Sequence, residues 1–317
     1  MKNKYHSLII GGTGQFGITL SKQLNKKKNK VIITSRSINK KKINKFLTIV
    51  KLDIYNKKKI YNLITHYKPK NIFYFAGQSS PKISFVKKLE TMKSNYLGCK
   101  NILEVIHNEN INVKFFHAAS SEMYGKIKGK ISNNTHKLPV NPYGQAKLKA
   151  FNLTKFYREK YKVKTYNAII FNTESLLRKK FFLIPKICLA AINAKKFNIK
   201  TEFGNLDIQR EWNWCEDQCQ IILKVINKKP QDFILSNGKS FSARQMLKFA
   251  FEHFNLNYKK FIIENNKKFL RPTNIKAKKS NYLETLKKNN IKKINYVYGK
   301  KIIVKLIKYY QNIRIND

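Results

Sequence analysis

The stretch HSLIIGGTGQFG, residues 6–17, joins a short apolar run to a turn rich in glycine. The run HSLII (6–10) reads as a strand, and a helix is expected from about Ile18 to Lys26. Between them the glycines satisfy two spacings, G-x-x-G-x-x-G (Gly11, Gly14, Gly17) and G-x-G-x-x-G (Gly12, Gly14, Gly17). Residues without a side chain permit a tight turn, close approach of backbone N–H groups to a pyrophosphate, and close packing of helix on strand. A glycine turn can be only a turn. Set between a strand and a helix, this one reads as a dinucleotide site.

Working outward, short apolar runs alternate with helical patterns. VIIT (31–34) and FLTIVKLD (46–53) read as the second and third strands, IYNLITHY (60–67) as a helix and NIFYFA (71–76) as the fourth strand. YLGCKNILEVIH (96–107) carries an apolar stripe, VKFFHAAS (113–120) is the expected fifth strand, and a helix from Tyr143 to about Tyr161 leads to VKTYNAIIFN (163–172). Such alternation gives an α/β fold, a doubly wound parallel sheet covered on both faces. After Asn172 helices dominate and no glycine- or proline-rich linker intervenes. Residues 1–172 are therefore expected to hold the cofactor and catalytic residues, and 173–317 to form mainly a smaller C-terminal substrate-binding lobe, with the chain crossing between the two.

The formal net charge of +49 invites a nucleic-acid reading. Only seven of the 66 basic residues are Arg, however, and the Lys residues are spread along the whole chain. With no basic stripe of base-reading Arg, the charge reads as solvated surface, and no nucleic-acid partner is expected. Cys99, Cys188, Cys215 and Cys219 lack metal-site spacing, so reduced thiols and no metal are expected. No apolar run approaches the roughly 20 residues of a membrane span. The N-terminus runs directly into a strand, leaving no signal peptide, and the expected location is cytoplasmic.

In doubly wound sheets ligands collect at the carboxyl ends of strands. Those ends here are Asp53, FAGQSS (75–80), ASSEMYG (119–125) and FNTES (171–175), each polar where a buried strand stops. Tyr143 and Lys147, in PYGQAKLKAF, are four apart and share one helical face. An ammonium there can lower the phenol's pKa and make it a base. The second strand ends in TSRS, with Arg36 where an NAD enzyme would carry an acid for the ribose hydroxyls. A guanidinium suits a 2′-phosphate, so NADP is favoured, with NAD not excluded.

With these motifs the chain resembles the extended short-chain dehydrogenases/reductases, and within them the GDP-mannose 4,6-dehydratases. GGTGQFG, FAGQSSPKISF, FFHAASSEMYG, PYGQAKLKAF, IIFNTESLLRKKF, FGNLDIQREW and LRPT fall in that family's order over almost the full length. FNTES, GNLDIQREW and the GQ step of the first motif are the dehydratase-specific part. The resemblance implies a Rossmann-type fold, a nucleotide-sugar substrate and a homo-oligomer, dimer or tetramer. It implies catalytic roles for Ser120, Glu122, Tyr143 and Lys147. Cofactor contacts would come from Gly11, Thr13, Gly14, Gln15, Phe16, Gly17, Arg36, Asp53, Ile54, Ala76, Gln78, Thr173 and Arg178, together with Tyr143 and Lys147. Substrate contacts would come from Ser79, Ser121, Asn172, Glu174, Arg210 and Arg271.

In the implied reaction Tyr143 takes the proton of the sugar's carbon-4 hydroxyl, Glu122 removes the carbon-5 hydrogen, and water leaves from carbon 6. The hydride lent to NADP returns, so no net oxidation occurs. The chain departs from the family pattern at Ser120 for Thr, Thr173 for His, Glu211 for Asp and Asn274 for Glu, and the loop after Arg36 is shorter. Two other readings stand beside the dehydratase: a nucleotide-sugar 4-reductase or epimerase on the same fold, and a non-enzymatic binding protein. A binding module, however, has no need of a matched phenol and ammonium.

Overall fold

Eight strands make the central sheet: β1 (Ser7–Ile10), β2 (Val31–Ser35), β3 (Lys41–Asn44), β4 (Leu47–Lys51), β5 (Asn71–Tyr74), β6 (Lys114–Ser120), β7 (Thr165–Ile170) and β8 (Asp232–Leu235). Their spatial order is β8-β7-β6-β5-β1-β2-β4-β3. Every neighbouring pair is parallel except β3 and β4, which are antiparallel. The structure is a computed structural model that describes residues 6–127, 129–265, 279–292 and 294–313.

From β1 the chain builds outward to β2 and β4, then returns to place β5 on the other side of β1. Such a reversal opens a crevice at the carboxyl ends of the strands. GGTGQFG and FAGQSS, which follow β1 and β5, both border it.

Both faces of the sheet are covered, because strand residues alternate between them. Ile9, Ile33, Phe73 and Phe116 pack with Leu20 and Leu24 of helix α1 (Gln15–Lys26) and with Ile222 and Val225 of the helix Cys215–Val225. Leu8, Ile10, Ile72 and Phe115 face Ile60 and Ile64 of α2 (Lys57–Tyr67), Ile102 and Ile106 of α3 (Gly98–Asn108) and Ala150 of α4 (Pro142–Lys160). Three later helices, α5 (Leu183–Phe197), α7 (Ala243–Glu252) and α8 (Lys300–Ile313), enclose a separate core with Trp212 and Trp214; Cys215–Val225 is α6. All four cysteines are buried and unpaired. Among the described residues no helix is long and apolar enough to cross a membrane.

Several elements differ from the sequence expectation: the first helix begins at Gln15, short helices form at Pro81–Val86 and Lys88–Met92, and β8, expected in the C-terminal lobe, joins the central sheet because it pairs with β7. Lys41–Asn44 is a strand, so β6 is the sixth rather than the fifth; its four residues, KKIN, are all exposed and carry no alternating pattern to betray it. Lysine on an outermost strand discourages pairing with another chain. Immediately before α3, Lys93–Leu97 winds as a π-helical turn. There Ser94 Oγ accepts from the Gln78 N–H at 3.2 Å, and the Asn95 amide donates to the Gln78 carbonyl at 3.0 Å. The widened turn thus holds the FAGQSS loop by its backbone.

His117, in the middle of β6, is fully buried. Its Nδ1 lies 2.8 Å from Asn167 Oδ1. The Asn167 amide donates to Asp232 Oδ1 at 2.9 Å and to the Phe151 carbonyl at 3.2 Å, which leaves Oδ1 to accept from the His117 N–H. Arg158 closes the row on Asp232 at 2.8 Å. Burial, reinforced by the Lys147 charge, pushes His117 from its ordinary 6.5 down to about 3, against the opposing pull of Asn167. The unfolded chain therefore takes up a proton between pH 6.5 and 3 that the folded chain refuses. This contribution to stability is complete above 6.5 and declines on acidification. His117→Gln should flatten the fall of unfolding free energy across that window by up to about 1.4 kcal/mol per pH unit, read from urea titrations at several pH values.

Candidate active site

Gly11 has φ +81°, and a Cβ there would lie 2.6 Å from the Ala76 nitrogen. The backbones that follow β1 and β5 thus touch with no room for a side chain. Gly14 begins α1 without a side-chain cap, so the helix's first N–H groups are not closed off by a neighbouring side chain. That uncapped positive end, lined by small residues, fits a pyrophosphate. Thr13 and Gly14 are exposed, while Phe16 stacks on Phe75 with centroids 5.2 Å apart. At the far side of the crevice Arg36 and Asp53 are exposed, and Ile54 is half-buried beneath α3. Ser35 Oγ accepts from the N–H groups of Ser37 and Ile38 and turns the chain after Arg36. The Gln78 side chain folds onto the Ser80 backbone, leaving Ser79 exposed between them.

The second cluster forms where β6 ends. Ser120 caps a single turn, Ser121–Tyr124, by accepting from the Glu122 N–H at 3.2 Å; Ser121 is buried beneath it. Glu122 Oε2 accepts from the Asn141 side-chain amide at 2.8 Å. The carbonyl of the same Asn141 side chain accepts from the Gly144 N–H at 2.8 Å and caps α4. A Cβ on Gly144 would lie 2.5 Å from the Glu122 carbonyl oxygen. The start of α4 therefore rests directly on the turn that carries Glu122. Tyr143 and Lys147 lie in the first turns of this helix. Lys147 is 5% exposed, with Nζ 2.8 Å from the Ala118 carbonyl and 5.8 Å from the centre of the Tyr143 ring.

Burial pushes the Tyr143 phenol up to about 12; a hydrogen bond with Ser120 pulls it down, the Glu122 carboxylate raises it and the Arg178 guanidinium lowers it. Lys147 is the cation placed over the ring, as the four-residue spacing predicts, and the more distant pull of Arg178 adds to it. Lys147 is itself drawn down to about 8 by desolvation.

FNTES follows β7 and meets the glycine turn through Gln15, whose amide donates to the Thr173 carbonyl at 3.4 Å and whose Oε1 accepts from Ser175 Oγ at 3.0 Å. Thr173 turns its hydroxyl away, to Gln218 Oε1 at 2.6 Å. The Asn172 carbonyl accepts from the Asn213 backbone at 2.8 Å. Glu174 is 2% exposed and faces Arg178, with Oε2 and Nε 3.7 Å apart. Arg210 is buried on the short ladder Gln209–Arg210 with Phe241–Ser242, and its guanidinium donates to the Gln209 carbonyl. Next to it, buried Glu211 accepts from Ser236 Oγ, the Gly238 N–H, and both the N–H and the hydroxyl of Ser280. Arg271 and Asn274 lie outside the described residues.

Sequence reasoning missed Asn141, which the Asn-Pro step before a helix announces as an N-cap with proline in the first turn. It also missed Gln218 and Asn167, which have no local signature. Among the described residues no group of His, Cys, Asp and Glu is arranged to hold a metal ion.

The sequence model of the family described as GDP-mannose 4,6 dehydratase matches residues 8–293. GDP-mannose 4,6 dehydratase of Drosophila melanogaster is 30% identical over 268 residues, 78% of this chain and 67% of that protein. GDP-mannose 4,6 dehydratase 1 of Arabidopsis thaliana is 28% identical over 296 residues, 87% and 81% of the two chains. Among solved structures, a dTDP-glucose 4,6-dehydratase of Streptomyces venezuelae with NAD bound superposes with a TM-score of 0.85 at 15% identity over 98% of each chain. UDP-glucose 4-epimerase of Thermotoga maritima gives 0.85 at 17% identity over 98% of this chain and 99% of that one. At these identities the structural likeness shows the shared fold.

The double role of Asn141 makes its loss measurable. Asn141→Ala should lower unfolding free energy by about 1 kcal/mol, and Asn141→Ser, which still caps the helix, should recover most of that. Urea denaturation midpoints of the two variants and the parent check this.

Proposed function

The chain belongs to the GDP-mannose 4,6-dehydratase family, and on that premise we propose that it removes water from GDP-mannose to give GDP-4-keto-6-deoxymannose, with NADP as a recycled cofactor. The observation that carries the reading is the convergence of Ser120, Glu122, Tyr143 and Lys147 at the end of β6, with one Asn141 side chain joining Glu122 to the helix of Tyr143. A reductase or epimerase needs the phenol and the ammonium. Reduction or epimerisation at carbon 4 alone calls for no acid–base group at Glu122, whereas the dehydratase needs one beside that pair.

The cofactor would lie along the uncapped start of α1 and the glycine turn, with Gln15, Ala76 and Gln78 bordering it and Arg36 toward the adenosine end. When bound it supplies a hydride acceptor that gives the same hydride back within one turnover. The residues do the rest. Tyr143, hydrogen-bonded to Ser120, takes the carbon-4 hydroxyl proton. The Arg178 cation favours the phenolate it must become, and Lys147, anchored on the Ala118 carbonyl, lies beside the ring. The ketone formed at carbon 4 acidifies the neighbouring hydrogen. Glu122, held by Asn141, removes that proton from carbon 5 and gives it to the carbon-6 hydroxyl, which departs as water. Carbon 6 would then take back the hydride, and carbon 5 the proton that Tyr143 holds. Arg210 and Arg271 would meet the diphosphate and the nucleotide.

NADP over NAD rests on Arg36, exposed after β2 where an acid for the ribose hydroxyls would otherwise stand. Arg36→Ala should weaken NADP binding far more than NAD binding; equal losses in titration calorimetry would remove Arg36 from the 2′-phosphate.

The reaction itself is tested with GDP-mannose and a catalytic amount of NADP⁺, reading loss of one water by mass. Glu122→Gln should slow dehydration by about 10²–10⁴-fold, the range of general-base contributions, while the first oxidation survives and dihydronicotinamide absorbance accumulates. Tyr143→Phe should block the first step and give no such absorbance. Dehydration by Glu122→Gln at nearly the parent rate would make the carboxylate structural and turn the reading to a reductase or epimerase.

A further inference from the structure

Residues 93–101 lie under the crevice and grip two of the loops that border it. They begin with the π-helical turn Lys93–Leu97. The Ser94 carbonyl accepts from the hydroxyl of Tyr74, the last residue of β5, at 2.6 Å. Ser94 Oγ accepts from the Gln78 N–H at 3.2 Å and donates to the Glu90 carbonyl at 2.7 Å. The Asn95 amide donates to the carbonyls of Gln78 and Thr91, each at 3.0 Å. Both backbone groups of Gln78 are thereby taken. Asn95 is fully buried, and its Oδ1 accepts no hydrogen bond. That oxygen lies against Gly77, which has φ +138° and where a Cβ would collide with it. Further along, the Asn101 amide donates to the Ile54 carbonyl at 3.0 Å, in the loop after β4.

We propose that Ser94 and Asn95 are positioning residues for the nicotinamide half of the cofactor, because they set the backbone of residues 76–78 on which that half would rest. The inference rests on the dinucleotide reading of the crevice and not on the dehydration.

Two features set this turn apart from ordinary packing. A buried acceptor without a partner opposes folding, so a side chain selected for stability alone would be apolar. The two donors of Asn95 are what its place requires. The π turn is likewise a costly, rare form that concentrates at functional sites. In an α-helix one residue shorter, Gly98 and Asn101 would keep their places under Tyr74 and Ile54, but the residues before them would turn by about 100° and carry Ser94 and Asn95 off the loop. Strand order says which half of the cofactor meets that loop. β5 lies between β1, whose glycine turn suits the pyrophosphate, and β6, whose end carries Ser120 and Glu122. The adenosine half runs the other way, past β2 toward Arg36 and the loop of Ile54.

Titration calorimetry with NADP⁺ and with 2′,5′-ADP, its adenosine fragment, separates the two halves; a parent that prefers NAD is read with NAD and ADP. Asn95→Asp keeps the size of the side chain and removes both donors. In this variant and in Ser94→Ala the affinity for NADP⁺ should fall about 3- to 10-fold, the scale of one hydrogen bond, while that for the fragment stays unchanged. Ser94→Thr, which keeps the hydroxyl, should recover most of the loss. Asn101→Ala, on the adenosine side, should weaken both ligands. In protein without nucleotide, hydrogen exchange at the Gln78 amide should quicken in Ser94→Ala, which removes its acceptor. Unmoved NADP⁺ affinity in Ser94→Ala and Asn95→Asp overturns the proposal. Equal losses for NADP⁺ and the fragment also overturn it, since the turn would then support the crevice as a whole. If Asn95→Asp does not fold, Ser94→Ala, at a half-buried position, decides alone. A parent that binds neither dinucleotide overturns the inference together with the cofactor reading. A parent that binds NADP⁺ but leaves GDP-mannose intact fails the dehydratase reading only, and the titrations still decide on Ser94 and Asn95.

Discussion

The site depends on one close contact between backbones. Helix α4 starts where the Gly144 position meets the Glu122 carbonyl, and a single methyl group there would force the two apart. Asn141 spans the same junction with both ends of its amide, one donating to the carboxylate and one accepting from the helix. The phenol, the ammonium and the carboxylate are therefore fixed relative to one another by chain that cannot move independently. Groups that must act on adjacent carbons of one sugar ring need that registration, since misplacement by about 1 Å is costly in rate.

A second constraint lies beneath. Lys147 is buried, and an ammonium out of water needs acceptors. The Ala118 carbonyl provides one at the last turn of β6, whose neighbours in the sheet are β5 and β7. Below it His117, Asn167, Asp232 and Arg158 form a row of hydrogen bonds through the sheet. The imidazole stays neutral in that setting, so no second positive charge competes with Lys147. The polar interior is ordered from the nucleotide crevice down to Arg158 with each charge either paired or spaced from its like.

Much of this was legible in the sequence because its causes are local. The glycine spacing, the strand–helix alternation and the four-residue step from Tyr143 to Lys147 each depend on neighbours within a turn or two. The Lys41–Asn44 strand was not legible, because its pattern is that of exposed surface and its partner is set by a hairpin. The charge of Arg178 bears on Tyr143 across 35 positions of sequence, which no local spacing announces. The same holds for Gln15, whose bonds to Thr173 and Ser175 join positions more than 150 residues apart. The bond from the Thr173 hydroxyl to Gln218 likewise spans 45 residues. Such choices are made by tertiary packing, which leaves no periodicity behind.

The edge strand β8 comes from beyond the residues that build the first seven strands, and α6 reaches back to lie on α1. Between them the chain has already visited the C-terminal lobe and returned. Neither region is thus a contiguous piece that could be cut free: severing the chain after Asn172 would strip β7 of a partner and expose one face of α1. Each region therefore depends on chain that has first passed through the other. Evolutionary exchange of the lobe alone, by swapping one continuous segment for another, is closed to this architecture, and new specificity has to come from point changes and loops.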